Sequence, residues 1–323
     1  MRNADIINPV VFQRADPFIY LHTDGYYYMT ASIPAYDAIE IRRAKEIKEL
    51  ESGECKIIWK KHLNGELSNL IWAPEIHYIN NKWYIYFAAA PNDEIHSEHK
   101  TFNHRMFVIE NSSSNPFLGE WEEKGRIKTH LESFSLDATI MKSEDKLYYI
   151  WAQKDPSIDG NSNIYISLMK TPWELEGDIE LLTVPEFEWE KKGFLVNEGP
   201  GILKNDKYTF LTYSASATDE NYCVGVLKLR NGDNPLLKSN WEKSIVPIFE
   251  SDVDNLRFGP GHNSFTKTKD GKDIVVYHCR DYNTFDCDPL YDPNRHTCIQ
   301  IIEWSERNEP ILGKPLPLKR EMK

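Results

Sequence analysis

Five short runs dense in aromatic and β-branched residues recur along this chain, and they constrain its fold more than any other feature. They are residues 26–32 (YYYMTAS), 83–89 (WYIYFAA), 147–153 (LYYIWAQ), 208–215 (YTFLTYSA) and 274–280 (IVVYHCR). A turn precedes each: Thr23-Asp24-Gly25, Asn80-Asn81-Lys82, Glu144-Asp145-Lys146, Asn205-Asp206-Lys207 and Lys269-Asp270-Gly271-Lys272. Another short apolar stretch lies before each turn, so each unit reads as strand, tight turn, strand. The runs start at 26, 83, 147, 208 and 274, in steps of 57, 64, 61 and 66 residues. Hairpins at a period near 60 are the spacing of a β-propeller with four-stranded blades. The expectation is an all-β, five-bladed propeller in a single domain over 1–323, with residues 305–323 as a short closing segment. Two β-sandwiches would not require hairpins at one period.

One segment competes with this pattern. Residues 36–51 (YDAIEIRRAKEIKELE) are rich in good helix formers. Within the repeat they occupy the third strand of the first blade, with Ile39 and Ile41 alternating with polar neighbours, followed by a short helical turn. The strand is the expected conformation.

Ten residues before the second strand, the count reaches Asp16, Asp137 and Glu198 in blades one, three and four, and Ala73 in blade two. In blade five the longer turn moves the equivalent position to His262. Equivalent positions on inner strands surround one axis, so these acids converge on one cavity. Gathering like charges is costly unless function needs it. Converging carboxyls suit glycoside hydrolysis, in which one acid protonates the leaving oxygen and another carboxylate activates water or attacks. A third acid can raise the donor's pKa by repulsion, and Trp72 offers a face for a sugar ring.

The segments Arg14-Ala15-Asp16-Pro17, Ile71-Trp72-Ala73-Pro74-Glu75, Ser135-Leu136-Asp137-Ala138, Asn197-Glu198-Gly199-Pro200 and Gly259-Pro260-Gly261-His262-Asn263 resemble glycoside hydrolase family 43, in order, from about Asn8 to about Glu303. The resemblance implies a five-bladed propeller and an inverting mechanism. It implies Asp16 as general base, Glu198 as general acid, and Asp137 as pKa modulator and orienter. Within the family the chain is most similar to the α-L-arabinofuranosidases, so the expected substrate is an arabinose-containing oligosaccharide. About 20 residues follow Glu303, without the C-terminal sandwich of many family β-xylosidases; β-xylosidase or mixed activity is the alternative. A non-catalytic carbohydrate-binding propeller is the alternative from another class.

Arg295 resembles the family arginine that reaches the site beside the modulating aspartate, where it would hold Asp137 ionised and bond sugar hydroxyls. Residues 282–293 are long for a turn and are expected to shape the cavity mouth. His262 resembles a histidine that reaches calcium or another ion in the central channel; the other reading is a neutral core histidine, since calcium prefers oxygen. No cofactor is expected to be required.

The net charge of −12 argues against a general nucleic-acid binder, and no apolar run approaches a membrane span. Five widely spaced cysteines without a CxxC pair read as free thiols, and the first nine residues lack a signal-like apolar core, so the expected location is the cytoplasm. The oligomeric state is not expressed in the sequence. His96-Ser97-Glu98-His99 lacks a third metal ligand, Asp159-Gly160-Asn161-Ser162-Asn163 lacks the EF-hand Gly and Glu, and the sequon Asn111-Ser112-Ser113 matters only on secretion. Cys279, Cys287 and Cys298 have the wrong spacing for zinc. No serine-hydrolase or nucleotide-binding motif is present.

Overall fold

A computed structural model describes residues 2–95 and 101–319; the His96–His99 motif lies outside the described residues. Strands β1 (Ala15–Leu21), β2 (Tyr27–Ser32), β3 (Ala38–Ala44) and β4 (Glu54–Lys60) form the first antiparallel blade in chain order. The second contains β5 (Asn69–Ile79), β6 (Lys82–Ala90), β7 (Arg105–Asn111) and β8 (Glu122–Arg126). The third contains β9 (Ser135–Ser143), β10 (Lys146–Gln153), β11 (Asn163–Thr171) and β12 (Glu174–Thr183). The fourth contains β13 (Asn197–Lys204), β14 (Tyr208–Ala215), β15 (Cys223–Arg230) and β16 (Trp241–Lys243). The fifth contains β17 (Phe258–Lys267), β18 (Asp273–Arg280) and β19 (His296–Ile301). The first strands contact one another in a closed ring, β1 to β5, β9, β13, β17 and back to β1. This is the expected five-bladed propeller.

Burial explains the aromatic second strands. Along β6, Trp83, Ile85, Phe87 and Ala89 enter a core shared with Tyr28, Ile39 and Ile41 of blade one. Tyr84, Tyr86, Ala88 and Ala90 enter the opposite core, with Tyr149 and Trp151 of blade three. A strand with a neighbouring sheet on each face is apolar at every position, although its side chains still alternate. The Asn80-Asn81 turn between β5 and β6 has φ of 51° and 62°. Two residues with positive φ form the hairpin turn whose twist matches the strands, and asparagine tolerates that conformation.

The helix-prone segment in blade one is extended over β3, then makes one 3₁₀ turn at Ile47–Glu49. Ile39 and Ile41 are fully buried there, and tertiary packing overrides local propensity.

The N-terminal segment completes the fifth blade. Val10 N–H donates to Thr297 O at 2.9 Å, and Thr297 N–H donates to Val11 O at 2.9 Å. The Asn8 side chain donates to Ile299 O and accepts from Ile299 N–H, both at 2.9 Å. Asn3 repeats this on Ile301, at 3.3 and 2.7 Å. Side-chain amides carry the same donor and acceptor as a peptide group and so continue the ladder.

Candidate active site

The site is built on one irregularity repeated in every blade. Each inner strand carries an extra residue relative to its partner at one equivalent place: between Ala15 and Phe18, Trp72 and Glu75, Leu136 and Ala138, Glu198 and Gly201, and Gly261 and Ser264. Such a β-bulge re-aims a side chain. The residue after the first member of each pair is left-handed: Asp16 (φ 53°), Ala73 (46°), Asp137 (49°), Gly199 (54°) and His262 (44°). A left-handed backbone is strained for any residue but glycine, and here the preceding blade supports it. Asp16 N–H donates to His278 Nδ1 (3.1 Å), Ala73 N–H to Ser32 Oγ (2.8 Å), and His262 N–H to Ser214 Oγ (2.7 Å). Gly199 N–H donates to Asp137 Oδ2 (3.1 Å).

This register corrects the sequence count by one residue in blade four. The equivalent of Asp16 and Asp137 is Gly199, whereas Glu198 matches Ala15, Trp72, Leu136 and Gly261. Glu198 nonetheless lines the same cavity as Asp16, Asp137 and His262.

The three carboxyls have distinct surroundings. Asp16 Oδ2 accepts from Ser32 Oγ at 2.6 Å, while Oδ1 faces His262 Nδ1 and His278 Nδ1, each 3.3 Å away, and Arg295 Nη1 at 3.4 Å. Burial alone would raise this carboxyl, but His262, Arg295 and His278 outweigh it and hold it well below the usual range. Burial pushes both histidines down, His278 to about 3. As the pH rises both rings lose their charge, and Arg295 supplies the positive charge beside Asp16 that persists.

Burial raises Glu198 to about 7; the Tyr222 hydrogen bond opposes this, the Asp16 charge adds to it and Arg295 opposes it. Asp137 is also raised, by burial first and then by the charges of Glu198 and Asp16. Two interacting carboxyls of this kind titrate as a pair.

Arg295 is corrected in one respect: it pairs with Asp16 rather than Asp137, and its Nη2 donates to Tyr36 Oη at 2.6 Å. Tyr36 in turn donates to Leu290 O at 2.7 Å. The 282–293 loop contributes Asp288, Leu290 and Tyr291 to the cavity, as expected at its mouth. Trp72 lines the cavity with its indole stacked on His104, ring centres 3.8 Å apart. Phe102 and Phe134 extend this apolar wall.

His262 Nδ1 lies 3.7 Å from Asp137 Oδ2 as well as close to Asp16. Among the described residues, no three His, Cys, Asp or Glu side chains form a group able to hold a metal ion.

Sequence reasoning missed His278, Ser32, Ser214, Tyr36 and Tyr222. The first three did carry a signal, because each lies opposite the residue preceding the bulge. Tyr36 and Tyr222 lie in connections, which no repeat count reaches.

The profile of glycosyl hydrolases family 43 matches residues 6–310. The chain belongs to this family. A crystal structure of an α-L-arabinofuranosidase from Lactobacillus brevis is 51% identical in sequence, with a TM-score of 0.97 over 99% of this chain and 100% of that one. An extracellular exo-α-(1→5)-L-arabinofuranosidase of Streptomyces avermitilis is 44% identical over 310 residues, 96% of this chain. The chain spans 63% of that relative's length. A protein of the same name from Streptomyces chartreusis is 46% identical over 289 residues, 89% of this chain and 86% of its own length.

The cytoplasmic expectation is overturned, because both Streptomyces relatives are named extracellular. The free thiols did not report a compartment. Cys223, Cys279 and Cys298 are buried core residues, and buried cysteine behaves as a small hydrophobe.

Proposed function

We propose that this family 43 chain is an inverting α-L-arabinofuranosidase that releases terminal arabinofuranosyl residues from arabinose-containing oligosaccharides. The observation that carries the reading is two carboxyls in one cavity with opposed surroundings: Asp16 Oδ1 lies 3.4 Å from Arg295 Nη1, which favours its ionised form, whereas burial favours the protonated form of Glu198. Inverting hydrolysis needs this division between base and acid. The named activities of the relatives support the arabinose preference and exo-action.

Asp16 takes a proton from water as the water oxygen bonds to the anomeric carbon. Glu198 gives its proton to the glycosidic oxygen as the carbon–oxygen bond breaks. Asp137 orients Glu198 through the adjacent Gly199 N–H and titrates with it as a pair. Trp72 supplies a wall for the sugar, and Arg295 sets the Asp16 charge within reach of sugar hydroxyls.

The test is a panel of aryl pentosides with arabino- and xylo-oligosaccharides, followed by proton NMR in early turnover. The expected result is preference for α-L-arabinofuranosides with the β-anomer appearing first. Early α-anomer would mean retention, and preference for β-xylosides would move the substrate assignment. Binding without turnover would identify a carbohydrate-binding propeller.

A further inference from the structure

Tyr222 and His278 are each 1% exposed, and each hydrogen-bonds one of the two acidic residues given opposite roles above. Their rings are parallel, with planes 3° apart and centres separated by 5.6 Å. His278 Nδ1 accepts the Asp16 N–H, and Tyr222 Oη donates to Glu198 Oε1 at 2.8 Å. We propose that His278 and Tyr222 form a positioning pair that fixes Asp16 and Glu198 relative to one another. The proposal rests on the base and acid roles assigned to those residues.

The Gly259-Pro260-Gly261 segment makes room for the pair. A Cβ on Gly261 would sit 2.3 Å from Tyr222 Cδ1 and 2.4 Å from Cε1, far inside contact distance. A Cβ on Gly259 would sit 2.2 Å from Asp219 O, the carbonyl that accepts Tyr222 N–H at 3.3 Å. Both glycines thus leave space for the tyrosine and the turn that delivers it. On the other side, His278 holds the left-handed Asp16 backbone. Because Nδ1 accepts that N–H, the proton of the neutral ring is on Nε2.

Each member has a separable job. His278 holds the bulge that aims the base, while Tyr222 directs the acid. The groups facing Glu198 are Asp16, Asp137, Arg295 and Tyr222. Of these, Tyr222 is the one that hydrogen-bonds it.

Two substitutions divide the functions of His278. His278→Asn retains an acceptor near Nδ1 and loses the stack, whereas His278→Phe retains the stack and loses the acceptor. The expected result is a kcat within about tenfold of wild type for Asn and roughly 100-fold lower for Phe, since ~1 Å of misplacement costs that much. KM should change little, and the Asp16 amide resonance should move in His278→Phe. In Tyr222→Phe, the Glu198 carboxyl, followed by ¹³C NMR, should titrate at higher pH, and the alkaline limb should follow. The double variant His278→Phe/Tyr222→Phe should lose less than the product of the single losses.

Equal losses for His278→Asn and His278→Phe would overturn the proposal, as would an unmoved Glu198 titration or fully multiplicative losses. Wild-type turnover of arabinosides tests the assigned reaction by itself. The amide and carboxyl resonances report on the pair whether or not turnover is observed.

Discussion

Replacing Glu198 with glutamine should stabilise the protein, but only above the acid range. Glutamine retains the oxygen that accepts from Tyr222 and removes the ionisable group. The rise of the carboxyl from 4.5 to about 7 corresponds to about 3 kcal/mol, at ~1.4 kcal/mol per pH unit. Glu198 is partly open to the cavity, so solvent screening makes that figure an upper bound. A raised carboxyl contributes full stability below its unfolded value, and that contribution is lost as pH climbs through its folded value. The variant should therefore match wild type below about pH 4.5, gain between 4.5 and 7, and hold a constant advantage above. Loss of the charge beside Asp137 acts in the same direction. With an unfolding entropy of ~2.1 cal/mol/K per residue, the plateau is a Tm increase of up to about 4 °C. Calorimetric scans of both proteins from pH 4 to 9 measure it. A difference independent of pH, or a less stable variant at pH 8, would refute the electrostatic account of Glu198.

Four further outcomes are expected. Asp137→Asn should sharpen the alkaline limb of kcat/KM to the titration of one group, because Glu198 then no longer titrates as half of a pair; an unchanged limb would remove Asp137 from that role. Arg295→Met should move the acidic limb up, since Asp16 loses its fixed positive neighbour, and the pH profile reads this directly. Glu198→Ala and Asp16→Ala should each lose several orders of magnitude on natural glycosides, with an activated aryl leaving group rescuing the first alone; equal rescue would contradict the assigned roles. Asn8→Ala should cost about 2–4 kcal/mol in chemical denaturation, because it strips partners from both the N–H and C=O of buried Ile299.

The blade pattern was legible because a strand enclosed on both faces cannot conceal its apolarity: WYIYFAA has no polar position to interrupt it. The convergence of the candidate residues on one cavity was legible to within one residue. Counting back from Tyr208 reached Glu198, whereas the bulge selects Gly199, because turn lengths differ and the count begins from a strand edge that sequence does not mark. Arg295 was placed at the site but against the wrong carboxyl, since neither motif nor spacing encodes which acid a loop arginine meets. Tyr222 was invisible for another reason. Its position depends on the space over Gly261, and a missing side chain in one blade says nothing locally about the ring from another that fills it.

The N-terminal ladder also dictates an order of assembly. Val10 and Val11 meet Thr297, so the ring closes through residues that leave the ribosome nearly a whole chain apart. Asp16 follows that seam directly, and its backbone waits for His278. The first of the three cavity carboxyls to be synthesised is thus among the last to be placed. Until blade five exists, four blades can stack while Asp16 remains unset and the inner strands β1 and β13 lack their β17 neighbour. Such distant pairing carries the loop-closure cost that slows folding. Catalytic competence therefore marks completion of the whole circle, so an interrupted chain would retain much β-structure without a working site.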